Sequence, residues 1–318
     1  MPILEISGLS VTLPVPNGGI RAVRAVDLEI SRGAIHGLIG ESGCGKTMTG
    51  MALLGLLPRG AQVAAKTFRF DGLDLTDVDV ARSLRGRRIT LISQDPAAAL
   101  NPVLTIGRQL DDVLRAHRNL PRHERRAEAI ELLAATGLPE PAQLLKRYPH
   151  QLSGGMQQRV VIAQALATGA EFLIADEPTT ALDVTVGAQV LALLRRLVAE
   201  RGLTVLLITH DMDVVAEVCD RATVLYAGLS VEEGPTEQIL AHPGHPYTRA
   251  LLAALPDASP RGQPLAAIEG RIPPPSQAIV GCAFAPRCPV ALAVCATQPP
   301  PERRDGTHDW RCHQEQDR

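Results

Sequence analysis

The sequence predicts an α/β chain: a mixed sheet flanked by helices, with an antiparallel β segment at the N-terminus, a helical insert and an irregular cysteine-rich C-terminal extension. Three observations predict it. The apolar run "AIHGLIG" passes through a glycine-rich loop into "KTMTGMALLGLL", where Met48, Met51, Leu54 and Leu57 recur at helical spacing. The later runs "AEFLIADEP" and "LTVLLITHD" are short and continuously apolar, as parallel strands covered on both faces are. Lastly, four of the six cysteines lie between Gly281 and His313, among prolines and beside the single tryptophan.

Taken in order, residues 3–40 alternate short β-branched runs with Gly, Pro and Asn turns, the pattern of strands joined by tight connections. From Arg82 to Gly137 the chain is polar and helix-favouring, with Pro121 suited to a first helical turn; a helical insert is expected over about residues 88–165. "ALDVTVGAQVLALLRRLVAERG" reads as a helix closed by Gly202. Eleven of the 25 prolines fall between Pro256 and Pro301, so regular helix or sheet is not expected there. The expected division is 1–235 for the α/β domain and 236–318 for the extension.

Composition narrows the function. A formal net charge of −2 offers no basic stripe for nucleic acid, and aromatic residues at 3% offer few stacking platforms. No apolar run reaches the roughly 18 residues of a membrane span, and the start lacks the basic head of a signal peptide. The chain is therefore expected in the cytoplasm, reaching a membrane only by docking on a membrane protein. Disulfides rarely persist there, which turns the cysteine cluster toward metal binding.

The chemistry starts at "GESGCGKT", which fits the phosphate-loop pattern between a strand and a helix. Backbone amides from Gly40, Glu41, Ser42, Gly43, Cys44 and Gly45, continuing to Met48, would turn inward around phosphates. Lys46 would neutralise β/γ oxygens and the Thr47 hydroxyl would ligate Mg²⁺. "FLIADEP" delivers Asp176 and Glu177 at a strand end. Alone they read as solvated acids; beside a phosphate loop, Asp176 suits Mg²⁺ and Glu177 suits a general base for an attacking water. "LSGGMQQR" places Ser153, Gly154 and Gly155 at a helix start, either a plain cap or an anion site of exposed amides.

Together these motifs resemble the ATP-binding cassette ATPases of membrane transporters, over residues 3 to about 235: "GESGCGKT", Gln94 in "ISQDP", "LSGGMQQR", "FLIADEP", "TALD" with Asp183, and His210 in "ITHD". The resemblance implies the P-loop cassette fold with a helical signature subdomain, and a head-to-tail dimer in which Ser153, Gly154, Gly155 and Gln157 of one subunit reach ATP held by the other. It assigns Gln94 to metal coordination and to coupling with the transmembrane partner, and His210 to the γ-phosphate and attacking water. Finer wording, "ISQDPAAALNPVLTIGRQL" and "HPYTRALLAALP", is similar to ATPases of oligopeptide and dipeptide importers, whose relatives import nickel, glutathione and other small solutes. "GESGCGKTMTGMALLGLLP" looks like the first of the two nonidentical ATPases of such importers. A heterodimer on two membrane subunits, fed by an extracytoplasmic binding protein, is the implied assembly at the cytoplasmic face of the membrane. The rival readings are a soluble non-transport cassette ATPase and a hydrolytically weak regulatory subunit. The absence of coiled-coil insertions disfavours the first, and the intact motifs disfavour the second.

Two features depart from the pattern. Residues 1–30 contain no aromatic residue to stack on adenine, and Leu13 falls near that place. Apolar contact without π-stacking predicts weak base discrimination, so ATP and GTP hydrolysis at comparable kcat/KM is expected; a strong preference for ATP would refute it. Cys44 lies where amides and Lys46 favour thiolate, although a small packed residue accounts for it as well.

Cys282, Cys288, Cys295 and Cys312 are separated by five, six and sixteen residues, unlike the paired spacing of zinc ribbons. Irregular chain around four thiolates suits a cubane cluster, and the resemblance suggests [4Fe-4S]. Zn²⁺, with His308 and His313 as substitute ligands, and free or oxidised thiols are the alternatives. The first expected role is to staple a coreless extension.

Overall fold

The computed structural model describes residues 2–16, 18–255 and 267–314. The chain divides into two units, one of residues 1–31, 36–80 and 208–318, the other of residues 32–35 and 81–207.

In the first unit a long antiparallel hairpin, β1 (Pro2–Val15) and β2 (Gly18–Ser31), buries Ile3, Leu4, Leu9, Val23, Val26 and Ile30 completely. β4 (Gln62–Ala64) and β5 (Thr67–Phe70) add to β1, and β6 (Leu73–Asp74) to β5. β3 (Ile35–Ile39) is buried along its length and pairs in parallel with β10 (Arg221–Tyr226). β11 (Leu229–Pro235) runs antiparallel to β10 and bridges to β2 in parallel. The sheet order is β6-β5-β1-β2-β11-β10-β3, mixed as expected. The helix α1 (Lys46–Leu53) packs on β1 and β2.

The extension does not stay irregular. α10 (Thr236–Ala241) and α11 (Pro246–Ala253) follow β11 directly, and 3₁₀ turns occupy Ala285–Arg287 and Ala293–Ala296. After the last proline run, β12 (Glu302–Asp305) and β13 (His308–Arg311) form a hairpin, and β13 joins β11 by pairing Trp310 with Glu232. Proline composition correctly predicts non-repetitive chain around Pro273–Pro275, where Arg24 Nη2 holds the carbonyls of Pro275 at 3.2 Å and Gln277 at 2.7 Å. It is silent on the hairpin, because the four-residue strands carry charges on their open face and gain register only from β11.

In the second unit β7 (Ile89–Ile92) pairs in parallel with β8 (Phe172–Asp176). Between them come α3 (Pro96–Ala99), α4 (Ile106–His117), α5 (Arg122–Ala135), α6 (Pro141–Leu144) and α7 (Gly154–Ala167), with α4, α5 and α7 packed on one another. Thr105 caps α4 through Arg108 N–H, and the faces bury Leu110, Leu114, Leu132 and Leu133. α8 (Val184–Arg201) ends at Gly202 with φ 65°, the left-handed C-cap that the sequence marks.

Candidate nucleotide-binding and hydrolysis site

The first unit carries the phosphate loop. β3 ends at Ile39 and the chain must pass so close to β10 that a β-carbon on Gly40 would lie 2.3 Å from the Leu225 carbonyl oxygen. Gly45, at φ 106°, approaches the Ala22 carbonyl, where a β-carbon would sit 2.7 Å away. These two positions require glycine and leave the loop amides around the start of α1. Lys46, the first residue of α1, is buried, and its ammonium donates to the carbonyls of Gly40 at 2.6 Å and Glu41 at 3.2 Å. Thr47 and Met48 are half-buried in the first turn, with Ser42 and Gly43 exposed ahead of them.

Cys44 is fully buried, and its Sγ lies 3.9 Å from Lys46 Nζ. Desolvation pushes the thiol up despite that ammonium. The packed reading of Cys44 therefore prevails over the reactive one. Cys219 is buried as well, against Gly37. Leu13 sits near the tip of the β1–β2 hairpin, half-exposed and opposite Ile20. His210 is exposed just after β9 (Thr204–Thr209).

The second unit gathers the other motifs. β8 delivers Asp176 half-buried at its end, and the next residue, Glu177, adopts φ 48°. That left-handed conformation costs a residue with a β-carbon about 1–2 kcal/mol, strain that aims the carboxylate rather than continuing the strand. Glu177 Oε2 accepts from Gln94 Nε2 at 2.8 Å and from Thr180 Oγ1 at 3.0 Å. Two residues far apart in sequence and assigned to one reaction thus meet, and Thr180 is a partner that the motif patterns do not single out.

At α7, Ser153 Oγ caps the helix by accepting from Met156 N–H at 3.4 Å, and Ser153 and Gly154 are exposed. Gly155 lies against Val186 of α8, where a β-carbon would come within 2.4 Å of Cγ1. Asp183 accepts from Val186 N–H at 3.0 Å as the cap of α8. Gln157 is half-buried: its amide donates to the carbonyls of Pro149 at 2.9 Å and Leu152 at 3.3 Å, bracing the loop before α7. The helix start therefore offers free amides at a positive dipole end, held in shape by Gln157 and α8.

The four extension cysteines, all unpaired thiols, line one cavity of the first unit together with Phe284, Val290 and His313. Cys295 and Cys312 are buried, and burial pushes the thiols of Cys282, Cys288 and Cys312 up. Among the described residues no three His, Cys, Asp or Glu side chains are grouped to hold a metal ion. His308 is engaged elsewhere, its Nε2 2.7 Å from Glu232 Oε1, so it is not a substitute ligand. His313 lines the cavity, with Nε2 3.0 Å from the Gln298 carbonyl.

The "ABC transporter" family model matches residues 23–180, and the "Oligopeptide/dipeptide transporter, C-terminal region" model matches residues 231–295. The oligopeptide transport ATP-binding protein AppD of Bacillus subtilis (strain 168) is 43% identical over 302 residues, 94% of this chain and 92% of its own. The dipeptide transport ATP-binding protein DppD of the same organism is 42% identical over 315 residues, 98% of this chain and 94% of its own. Among solved structures, a dimeric ATP-binding cassette in a post-hydrolysis state bound to ADP and phosphate superimposes with a TM-score of 0.64 at 30% identity, covering 73% of this chain and 98% of that one. With a phosphate loop, a strained strand-end glutamate, a capped signature helix and near end-to-end similarity to such proteins, the chain belongs to the ABC transporter family, as an ATPase bearing the oligopeptide/dipeptide transporter C-terminal region.

Proposed function

We propose that this chain hydrolyses ATP to drive uptake of dipeptides, oligopeptides or related small solutes through partner membrane subunits. The observation that carries the reading is the similarity to dipeptide and oligopeptide transport ATP-binding proteins, which spans the extension as well as the cassette. The proposed division is an ATPase domain over 1–235, with its helical subdomain at about 88–165, and the extension over 236–318.

In the catalytic reading, loop amides and Lys46 hold the phosphates. The hydroxyl, carboxylate and amide oxygens of Thr47, Asp176 and Gln94 are the hard donors that Mg²⁺ requires. When bound, Mg²⁺ draws charge from the phosphate oxygens. Glu177 takes the proton of the attacking water, with Gln94 keeping its carboxylate in place, and His210 contacts the γ-phosphate. The exposed Ser153 and Gly154, next to an α8 start whose Val184 is 90% exposed, suit contact with ATP held by a second ATPase subunit. We assign this chain as the first of two nonidentical ATPases, peripheral at the cytoplasmic face, with two permease subunits and an extracytoplasmic solute-binding protein. No helix among the described residues is long and apolar enough to cross a membrane.

Four thiols lining one cavity are the donor type that iron–sulfur clusters use, and we assign a [4Fe-4S] cluster to Cys282, Cys288, Cys295 and Cys312. Anaerobically purified protein should be brown with iron and acid-labile sulfide in equal amounts. A colourless protein with stoichiometric zinc overturns the assignment. The function itself is tested by reconstituting the chain with a second ATPase, two permease subunits and a solute-binding protein of a peptide importer. ATP-dependent accumulation of labelled di- or oligopeptide is expected, and a complex that hydrolyses ATP but accumulates no peptide overturns the peptide reading.

A further inference from the structure

The cysteine lobe reaches the phosphate loop through one side chain. Arg287, immediately before Cys288, is 3% exposed and forks onto Glu41, with Nη1 2.7 Å from Oε2 and Nη2 3.1 Å from Oε1. Its remaining donors go to the carbonyls of Ile268 at 3.0 Å and Glu269 at 2.9 Å and to Tyr226 Oη at 3.4 Å. The guanidinium also lies over the Tyr226 ring, 5.8 Å from its centre. Phe284, a turn earlier, packs on both Tyr226 and Tyr247.

Glu41 is fastened from the other side as well. Its N–H donates to Tyr247 Oη at 3.0 Å, and its carbonyl accepts from Lys46 Nζ. The extension thus sets both the backbone and the side chain of the second residue of the phosphate loop, whose carbonyl in turn restrains the phosphate-binding lysine. A two-pronged ion pair whose guanidinium is buried has a single geometry and transmits displacement, whereas a fully exposed pair is free to slide.

We propose that Arg287 is a positioning residue for ATP: it carries the fold of the cysteine lobe into the phosphate loop, so that ATP is held at full strength only while the lobe is assembled. The proposal rests on the ATPase reading and on neither the transported solute nor the identity of the thiol-bound group.

The test measures binding of a fluorescent ATP analogue with Mg²⁺ to the full chain carrying Arg287→Gln, Glu41→Gln or both. Each single change should weaken binding by about tenfold, the scale of a small misplacement of a binding group. The double variant should be no weaker than either single one, and Arg287→Lys should recover part of the loss. In the assembled transporter KM for ATP should rise while kcat holds. The sole tryptophan, Trp310, lies in the lobe and reports its fold by emission. If Arg287→Gln shifts that emission, Glu41→Gln, which leaves every lobe residue in place, decides. Unchanged affinity in Glu41→Gln, or a multiplicative loss of about a hundredfold in the double variant, overturns the proposal. Failure of the transport reading looks different, as absent uptake with normal ATP binding.

Discussion

Glu177→Gln is expected to lower ATP turnover by about a hundredfold to ten-thousandfold, the usual contribution of a general base, while ATP binding changes little. The structure explains why the two effects separate. Glu177 Oε2 accepts from Gln94 Nε2 and Thr180 Oγ1, and the glutamine carbonyl oxygen remains able to accept both. Shape, backbone strain and hydrogen bonding persist, and only the proton acceptor is lost. ATP that binds without being consumed should trap the closed dimer with the second ATPase subunit, visible as co-elution of the two in size-exclusion chromatography with ATP and Mg²⁺. Unchanged turnover removes Glu177 as the base; a parallel loss of ATP affinity shows instead that it holds the site together.

Glu232→Ala is expected to cost about 3–5 kcal/mol, the range for breaking a buried charged network by removing one partner. The Glu232 side chain is fully buried in β11. It accepts from Gly244 N–H at 2.6 Å, His245 N–H at 2.9 Å and Thr248 Oγ1 at 2.5 Å, and His308 Nε2 lies 2.7 Å away. Alanine leaves all four polar groups buried without a partner, each at about 1–3 kcal/mol before relaxation. Because these groups belong to α11, the turn before it and β13, the loss detaches the extension from the sheet rather than loosening one loop. The midpoint of thermal unfolding followed by Trp310 fluorescence should fall by about 10 °C. Glu232→Gln should fall less, since it keeps one acceptor. A midpoint no lower than that of Glu237→Ala, a substitution at an exposed position of α10, refutes the network as the anchor.

Much of the catalytic half was legible because its chemistry is local. Gly40 and Gly45 are required by contacts one strand away, and their spacing to Lys46 is written in eight consecutive residues. "FLIAD" announces a buried strand by continuous apolarity, and Ser153 and Gly202 announce helix ends because capping involves only neighbours within a turn. Gln157 shows the limit of this. Its place in the motif suggests the nucleotide, while its amide braces the carbonyls of Pro149 and Leu152.

The sequence alone determined that the chain has a phosphate loop, a strand-end acid pair, a helix start with exposed amides and a cluster of four thiols, since each is a pattern of residue types over a short span. Tertiary structure decided what those pieces serve. Glu41 meets Arg287 across 246 positions, Glu232 meets His308 across 76, and Gln94 meets Glu177 across 83. No periodicity or spacing encodes such pairs, because they arise only when distant segments are brought together by burial of the sheet. The extension that composition marks as an irregular appendage becomes, through those contacts, a structural neighbour of the phosphate loop.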